Sequence, residues 1–249
     1  MDGLISLKTT LLKYLLIAVA IIVSASIVSN AFVSRNKENE VIQVTGLGTK
    51  DFESDLIVWT GAYSQMDSTL KNAYEKLYSD QGKIVEFLKK RSVSENEYVF
   101  SSVTITKVYD SVIDENKNQK QVFKGYSLRQ EIKIESKEID KVEKISREIS
   151  ELINMGIEFY SFAPAYYYTQ LSELKKELIE QATENATDRA KTIAVKSGFD
   201  LGRLKSANMG VVQIIAKNSN EDYSWAGSFN TSSKQKTATI TMKLQFGIK

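Results

Sequence analysis

The chain has 249 residues, 42% of them hydrophobic, with 33 basic and 31 acidic residues and a formal net charge of +2. A real core can be buried, but the even mixing of signs leaves no basic face, so no nucleic-acid partner is expected. Cysteine and histidine are both absent, which removes disulfides, thiol nucleophiles, thiolate metal sites, the usual general base near neutral pH and the commonest metal ligand.

The first element is YLLIAVAIIVSASIVSNAFV, Tyr14 to Val33, which carries no charge. As a helix it would span roughly 30 Å, the hydrocarbon thickness of a bilayer. Lys8 and Lys13 precede it, which favours a cytoplasmic N-terminus, but Arg35 and Lys37 follow it, so the charge bias is weak. Two readings stay open. Residues 14–33 can be an uncleaved signal anchor, with everything after Ser34 outside the cytoplasm. Alternatively, Leu15 to Val23 can be the core of a cleaved signal peptide, with Val23-Ser24-Ala25 as the cleavage site and a soluble periplasmic product. Both divide the chain into a segment of residues 1–35 and an exported body of residues 36–249.

Within the body, VIQVTGLG and DLIVWTGAYS have the β-branched and aromatic content of strands. Ser68 to Arg91 has helical periodicity, with Leu70, Ala73, Leu77, Ile84 and Leu88 inward. Tyr98 to Tyr109 predicts a strand, DSVIDENKNQK a polar turn, and Phe123 to Glu135 a strand alternating through Tyr126, Leu128, Gln130, Ile132 and Ile134. Ile139 to Asn154 predicts an amphipathic helix closed by Gly156. Ile157 to Tyr168 predicts a strand broken by Pro164, and Ser206 to Ala216 with Thr237 to Phe246 a closing strand pair. The order ββαββαβαββ implies an α+β fold: a mixed or antiparallel sheet with helices packed on it, and a weak internal β-α-β-β repeat beginning at Asp55 and again at Phe123.

Ser172 to Gly202 is the longest uninterrupted pattern. Leu171, Leu174, Leu178, Ala182, Ala186, Ala190 and Ile193 fall on one side of a helix. Alanines at 182, 186 and 190 let another backbone come close, while the leucines suit a wider gap. The stripe therefore lies on the sheet, tight at the alanine end, or forms a helix–helix contact between subunits.

Other candidates are weak as chemistry. Gly46-Leu47-Gly48 lacks the third glycine and following helix of a nucleotide loop, so a turn needing glycine backbone angles is the better reading. Glu180, Glu184 and Asp188 stand one helical turn apart and could form an acid–base pair or hold a metal, but a solvated face with i,i+4 charge pairs explains them as well. Strand alternation sends Tyr167 to the face opposite Tyr166 and Tyr168. The polar stretch Lys217 to Lys234 carries Tyr223, Trp225 and Phe229, a composition that suits docking onto a neighbouring subunit or a mobile hairpin tip. The candidate interface residues are thus Ala182, Ala186, Ala190, Tyr167, Tyr223, Trp225 and Phe229, and no catalytic, cofactor or metal residue is assigned.

Three segments resemble the SIMPL-domain family: VIQVTGLGTKDFESD from Val41, KGYSLRQEIKIE from Lys124, and LIEQATENATDRAKTIAVKSGFDLGRL from Leu178. In the last, Asp188-Arg189-Ala190-Lys191, Gly198, Leu201 and Gly202 match, with Thr187 a departure; a long polar insert before the last strand is another. The resemblance implies a bacterial periplasmic or membrane-anchored envelope protein, not an enzyme, linked to oxidative-stress tolerance. Some members of the family are described as ring-like or channel-like oligomers. The expected protein is a non-enzymatic, membrane-anchored homo-oligomer of the cell envelope, the alternative being a periplasmic module that binds a small molecule or lipid.

Overall fold

The computed structural model describes residues 17–29, 40–113, 119–222 and 224–249. Residues 17–29 form a helix, α1, in which every residue is exposed. The remainder of Tyr14–Val33 lies outside the described residues. Among the described residues no helix is long and apolar enough to cross a membrane. The rest is an α+β protein that contacts divide into two compact units. One holds the chain up to Thr49 with Lys176–Val211 and Thr239–Lys249. The other holds Lys50–Lys175 and Val212–Ala238.

The second unit is a β-α-β-β-α-β arrangement, the split βαβ or ferredoxin-like order. The six-stranded sheet of this arrangement consists of β2 (Leu56–Asp67), β3 (Tyr98–Phe100), β4 (Thr104–Ile113), β5 (Gln119–Ser136), β6 (Phe159–Ser161) and β7 (Ala165–Tyr167). β2 and β5 form the centre, antiparallel from Ile57 opposite Ser136 to Asp67 opposite Tyr126. β3 and β4 pair with the far side of β5, and β6 and β7 with the far side of β2. Helix α2 (Leu70–Lys90) is capped by Thr69, whose hydroxyl accepts from Asn72 N–H, and ends on Lys89 and Lys90, where cations complement the helix dipole. It buries Ala73, Leu77, Ile84, Phe87 and Leu88 against Ile57, Trp59, Tyr63, Leu128, Ile132 and Ile134.

The expected helix over Ile139 to Asn154 is two: α3 (Ile139–Arg147) and α4 (Ser150–Asn154). Between them Glu151 N–H bonds Glu148 O and Leu152 N–H bonds Ile149 O. These i→i+3 bonds tighten the turn, and Ile145 and Leu152 both enter the core. The polar turn expected after Tyr109 is also shorter than the sequence suggests. Asp110 to Ile113 complete β4 and Gln119 to Gln121 open β5, because each finds a ladder partner on the other.

The first unit contains β1 (Val41–Glu53) up to Thr49, α5 (Leu171–Lys196) from Lys176, β8 (Leu201–Met209) and β11 (Gln235–Ile248) from Thr239. β8 pairs antiparallel with β11, from Leu201 opposite Ile248 to Met209 opposite Met242. β1 neighbours β11 and is the end strand of its sheet. Val44, Leu178, Ala182, Ala186, Ala190, Ala194, Ile240, Met242, Leu244 and Phe246 are buried here.

Candidate interaction surfaces

The alanine row meets glycine. A Cβ added to Gly46 would lie 2.0 Å from Ala182 O and 2.7 Å from Ala186 Cβ, and one added to Gly48 would lie 2.2 Å from Leu178 O. The two glycines sit in mid-strand in β1 and have no positive φ. The expected glycine turn is therefore corrected: these residues are glycine because a helix backbone presses on the strand, which no larger side chain allows. Ala182, Ala186 and Ala190 are wholly buried, so their place as interface candidates is corrected too; their methyls are consumed within the unit. Leu178 approaches as closely as the alanines, and the wider gap is not found there. The stripe continues to Ala194, while Ile193 is exposed, because a step of four from Ala190 stays on the inward row.

Beside the alanines runs a polar row that pattern reading missed. Leu47 N–H donates to Asn185 Oδ1 at 3.2 Å, Thr49 N–H to Gln181 Oε1 at 3.3 Å, and Arg189 Nη1 to Thr45 O at 3.1 Å. Helix positions 181, 185 and 189 thus meet strand positions 49, 47 and 45 in antiparallel order. Four helical residues rise about 6 Å and two strand residues about 6.8 Å, so the two repeats keep step over three contacts. An end strand leaves alternate backbone groups unpaired; here α5 side chains satisfy them. The available signal was a polar residue one position before each alanine.

Glu180, Glu184 and Asp188 stay exposed; the pairing found for Asp188 is with Lys191 at 3.7 Å. Among the described residues no group of three or more His, Cys, Asp or Glu side chains could hold a metal. A cleft of about 660 Å³ in the second unit is lined by charge. Its Lys234 pairs with Glu53 at 3.0 Å and Asp140 at 2.7 Å, and its Lys141 with Glu138 at 3.2 Å.

The remaining candidates also fall in the second unit. Tyr167 is half-buried in β7 opposite Leu56, and its carbonyl accepts from Asp55 N–H at 3.0 Å. Tyr223 lies outside the described residues. Trp225 is 100% exposed and Phe229 45%. Their segment is tied down: β10 (Ser228–Phe229) pairs in parallel with β9 (Gln213–Ala216). Gln213 brackets Ser224, donating to its carbonyl at 2.7 Å and accepting from its N–H at 3.1 Å.

A family model described as a protein of unknown function (DUF541) matches residues 42–246. The chain belongs to the SIMPL family. Among curated proteins none matches it. The SIMPL match takes in both glycines of β1 and the whole of α5, so the glycine–alanine contact and the polar row beside it lie inside the matched domain.

Proposed function

We propose that this SIMPL protein is a non-enzymatic, membrane-anchored protein of the bacterial cell envelope that works by self-association. One observation carries the reading. Residues 17–29 form a helix without a charged residue in which all thirteen are exposed, including Ile17, Ile21, Ile22, Ile27 and Val28. Exposed apolar surface of this kind marks a membrane or protein contact, and its place inside the twenty uncharged residues from Tyr14 to Val33 favours the bilayer. The exported body would then face the periplasm, and a tether on each chain would raise its effective concentration at the membrane and promote assembly. The non-enzymatic reading rests on composition, and the link to envelope or oxidative stress on family resemblance. The two βαβ halves of the second unit support an internal repeat starting at Asp55 and Phe123. A module binding an apolar ligand draws less support from the charged and internally paired cleft. The test is light scattering on the native particle in mild detergent, with mass spectrometry of the intact chain. A discrete oligomer of full-length chains is expected; a monomer starting near Ser26 would overturn the reading.

A further inference from the structure

The second unit has one guarded sheet edge and one open edge. On the guarded side β6 and β7 are three residues each, separated by Pro164. The open side is β4, ten residues long, of which nine are exposed and Val108 half-buried. Among the described residues β4 pairs with β5 alone. Edge strands are commonly blunted by shortness, proline, charged side chains or a bulge. β4, TITKVYDSVI, has no proline and two charged residues, Lys107 and Asp110, the second paired with Lys124 of β5. The register break in the ribbon falls on the β5 side, where Lys124 is skipped between Gly125 and Phe123.

Beyond Val108 the ribbon also leaves its sheet behind. β2 ends at Asp67 opposite Tyr126, so Val108–Ile113 and Gln119–Gly125 continue as two strands only. Such a ribbon is marginally stable alone in water. This one exposes Tyr109, Val112, Ile113, Val122 and Phe123, and its edge carboxylate is already paired within the ribbon, Asp110 with Lys124 at 3.1 Å.

A second copy of the same edge fits. A two-fold axis perpendicular to the sheet keeps every side chain on its own face, so opposed residue numbers must sum to an even value. Centring on Asp110 would set two aspartates against each other, and centring on Val108 would set Ile105 against Ser111 and Val112 against Thr104. Centring on Tyr109 sets Tyr109 against Tyr109 and Ile105 against Ile113, with Lys107 against the uncharged Ser111; on the other face it sets Thr106 against Val112 and Val108 against Asp110, so the aromatic face decides the register. Tyr109 already meets Phe123 edge-on at 5.6 Å, so this register yields a row of four rings, Phe123–Tyr109–Tyr109–Phe123, across the join.

We propose that β4 is a homodimerisation edge, pairing antiparallel with β4 of a second copy about an axis at Tyr109. The partner is a second copy because the edge complements itself, and the two-fold consumes both open edges, so this contact stops at a dimer. The inference rests on the self-association proposed above and gives it an address. Its test uses the full-length chain in mild detergent, followed by light scattering over a dilution series. Ser111→Lys places two Lys–Lys pairs in the dimer and is expected to raise its dissociation constant about tenfold, whereas Ser111→Asp faces Lys107 and is expected to lower it. Ser111 is exposed and accepts one 3.2 Å bond from Gln121, so both variants should fold, as an unchanged melting temperature would verify. In this cysteine-free chain Tyr109→Cys should oxidise to a linked dimer and Lys107→Cys, offset by four positions, should not. A wild-type monomer overturns both this inference and self-association. An oligomer indifferent to the charge at position 111 and to the position of the cysteine overturns β4 pairing alone.

Discussion

The ammonium of Lys236 is wholly buried in β11, donating to Tyr166 O at 2.6 Å with the Phe229 ring 5.5 Å away. No carboxylate pairs with it in the interactions observed, and burial lowers its pKa from 10.5 to about 8. The fold therefore prefers the neutral amine. Below pH 8 both folded and unfolded chains carry the proton, and the folded state bears the full desolvation penalty. Between pH 8 and 10.5 the unfolded chain still binds the proton and the folded chain does not, so stability rises with pH across that window. Lys236→Met removes the penalty: it should be more stable than wild type at pH 7, by roughly 3 kcal/mol at most, with the difference shrinking as pH approaches 10.5. Urea unfolding at several pH values checks this, and a less stable Lys236→Met would show the amine to be net stabilising. Gln130 is a buried polar residue of the opposite kind, accepting from the Tyr63 hydroxyl and donating to Ser101 O at 2.7 Å; with both ends bonded, its burial carries little penalty.

Helix α5 and strand β1 are held by two kinds of contact that mutation can separate. Gly46→Ala puts a methyl into the Ala182 carbonyl, a backbone atom that a rotamer change cannot move. A loss of more than about 3 kcal/mol, or failure to fold, is expected from thermal unfolding. Asn185→Ala keeps the packing and leaves Leu47 N–H without its side-chain partner; about 1 kcal/mol is expected. If the two variants lost equal stability, the close backbone approach would matter no more than one hydrogen bond of the polar row. Helix α2 offers a pH test of its own. Lys76 and the Thr69 N–H hold the Asp67 carboxyl down at about 2. Its contribution is present above the usual carboxylate range near 4 and is lost as pH falls towards 2, and Asp67→Asn should flatten that part of the acid unfolding curve.

Three exposed features among the described residues bear on assembly: α1, the open edge of β4 and the fully exposed Trp225. Trp225→Ser should change melting temperature negligibly, since a fully exposed ring buries nothing in the chain. A drop in particle mass for the same variant would place Trp225 in a subunit contact. Deleting the chain up to Ser34 should give a particle that needs no detergent. Continued detergent dependence would place the apolar surface elsewhere than the N-terminal segment.

Strand β5 and helix α2 were legible in the sequence because their side chains alternate in and out with periods of two and 3.6, and Leu128, Ile132, Ile134, Leu77 and Ile84 went inward as those periods require. The α+β class followed from such local patterns, while the SIMPL family was read from the resemblance of three segments and is shown by the match over residues 42–246. What the alanine stripe lies on was not local: Gly46 and Ala182 are 136 positions apart, and only folding shows that one lacks a side chain because the other's carbonyl fills the space. The polar row at Gln181, Asn185 and Arg189 was hidden likewise, since a surface glutamine and one capping a strand edge look alike along a helix. Burial of Lys236 and exposure of Tyr109 reversed what residue type suggests, because where a sheet stops and which strand is left at its edge are decided by tertiary pairing alone.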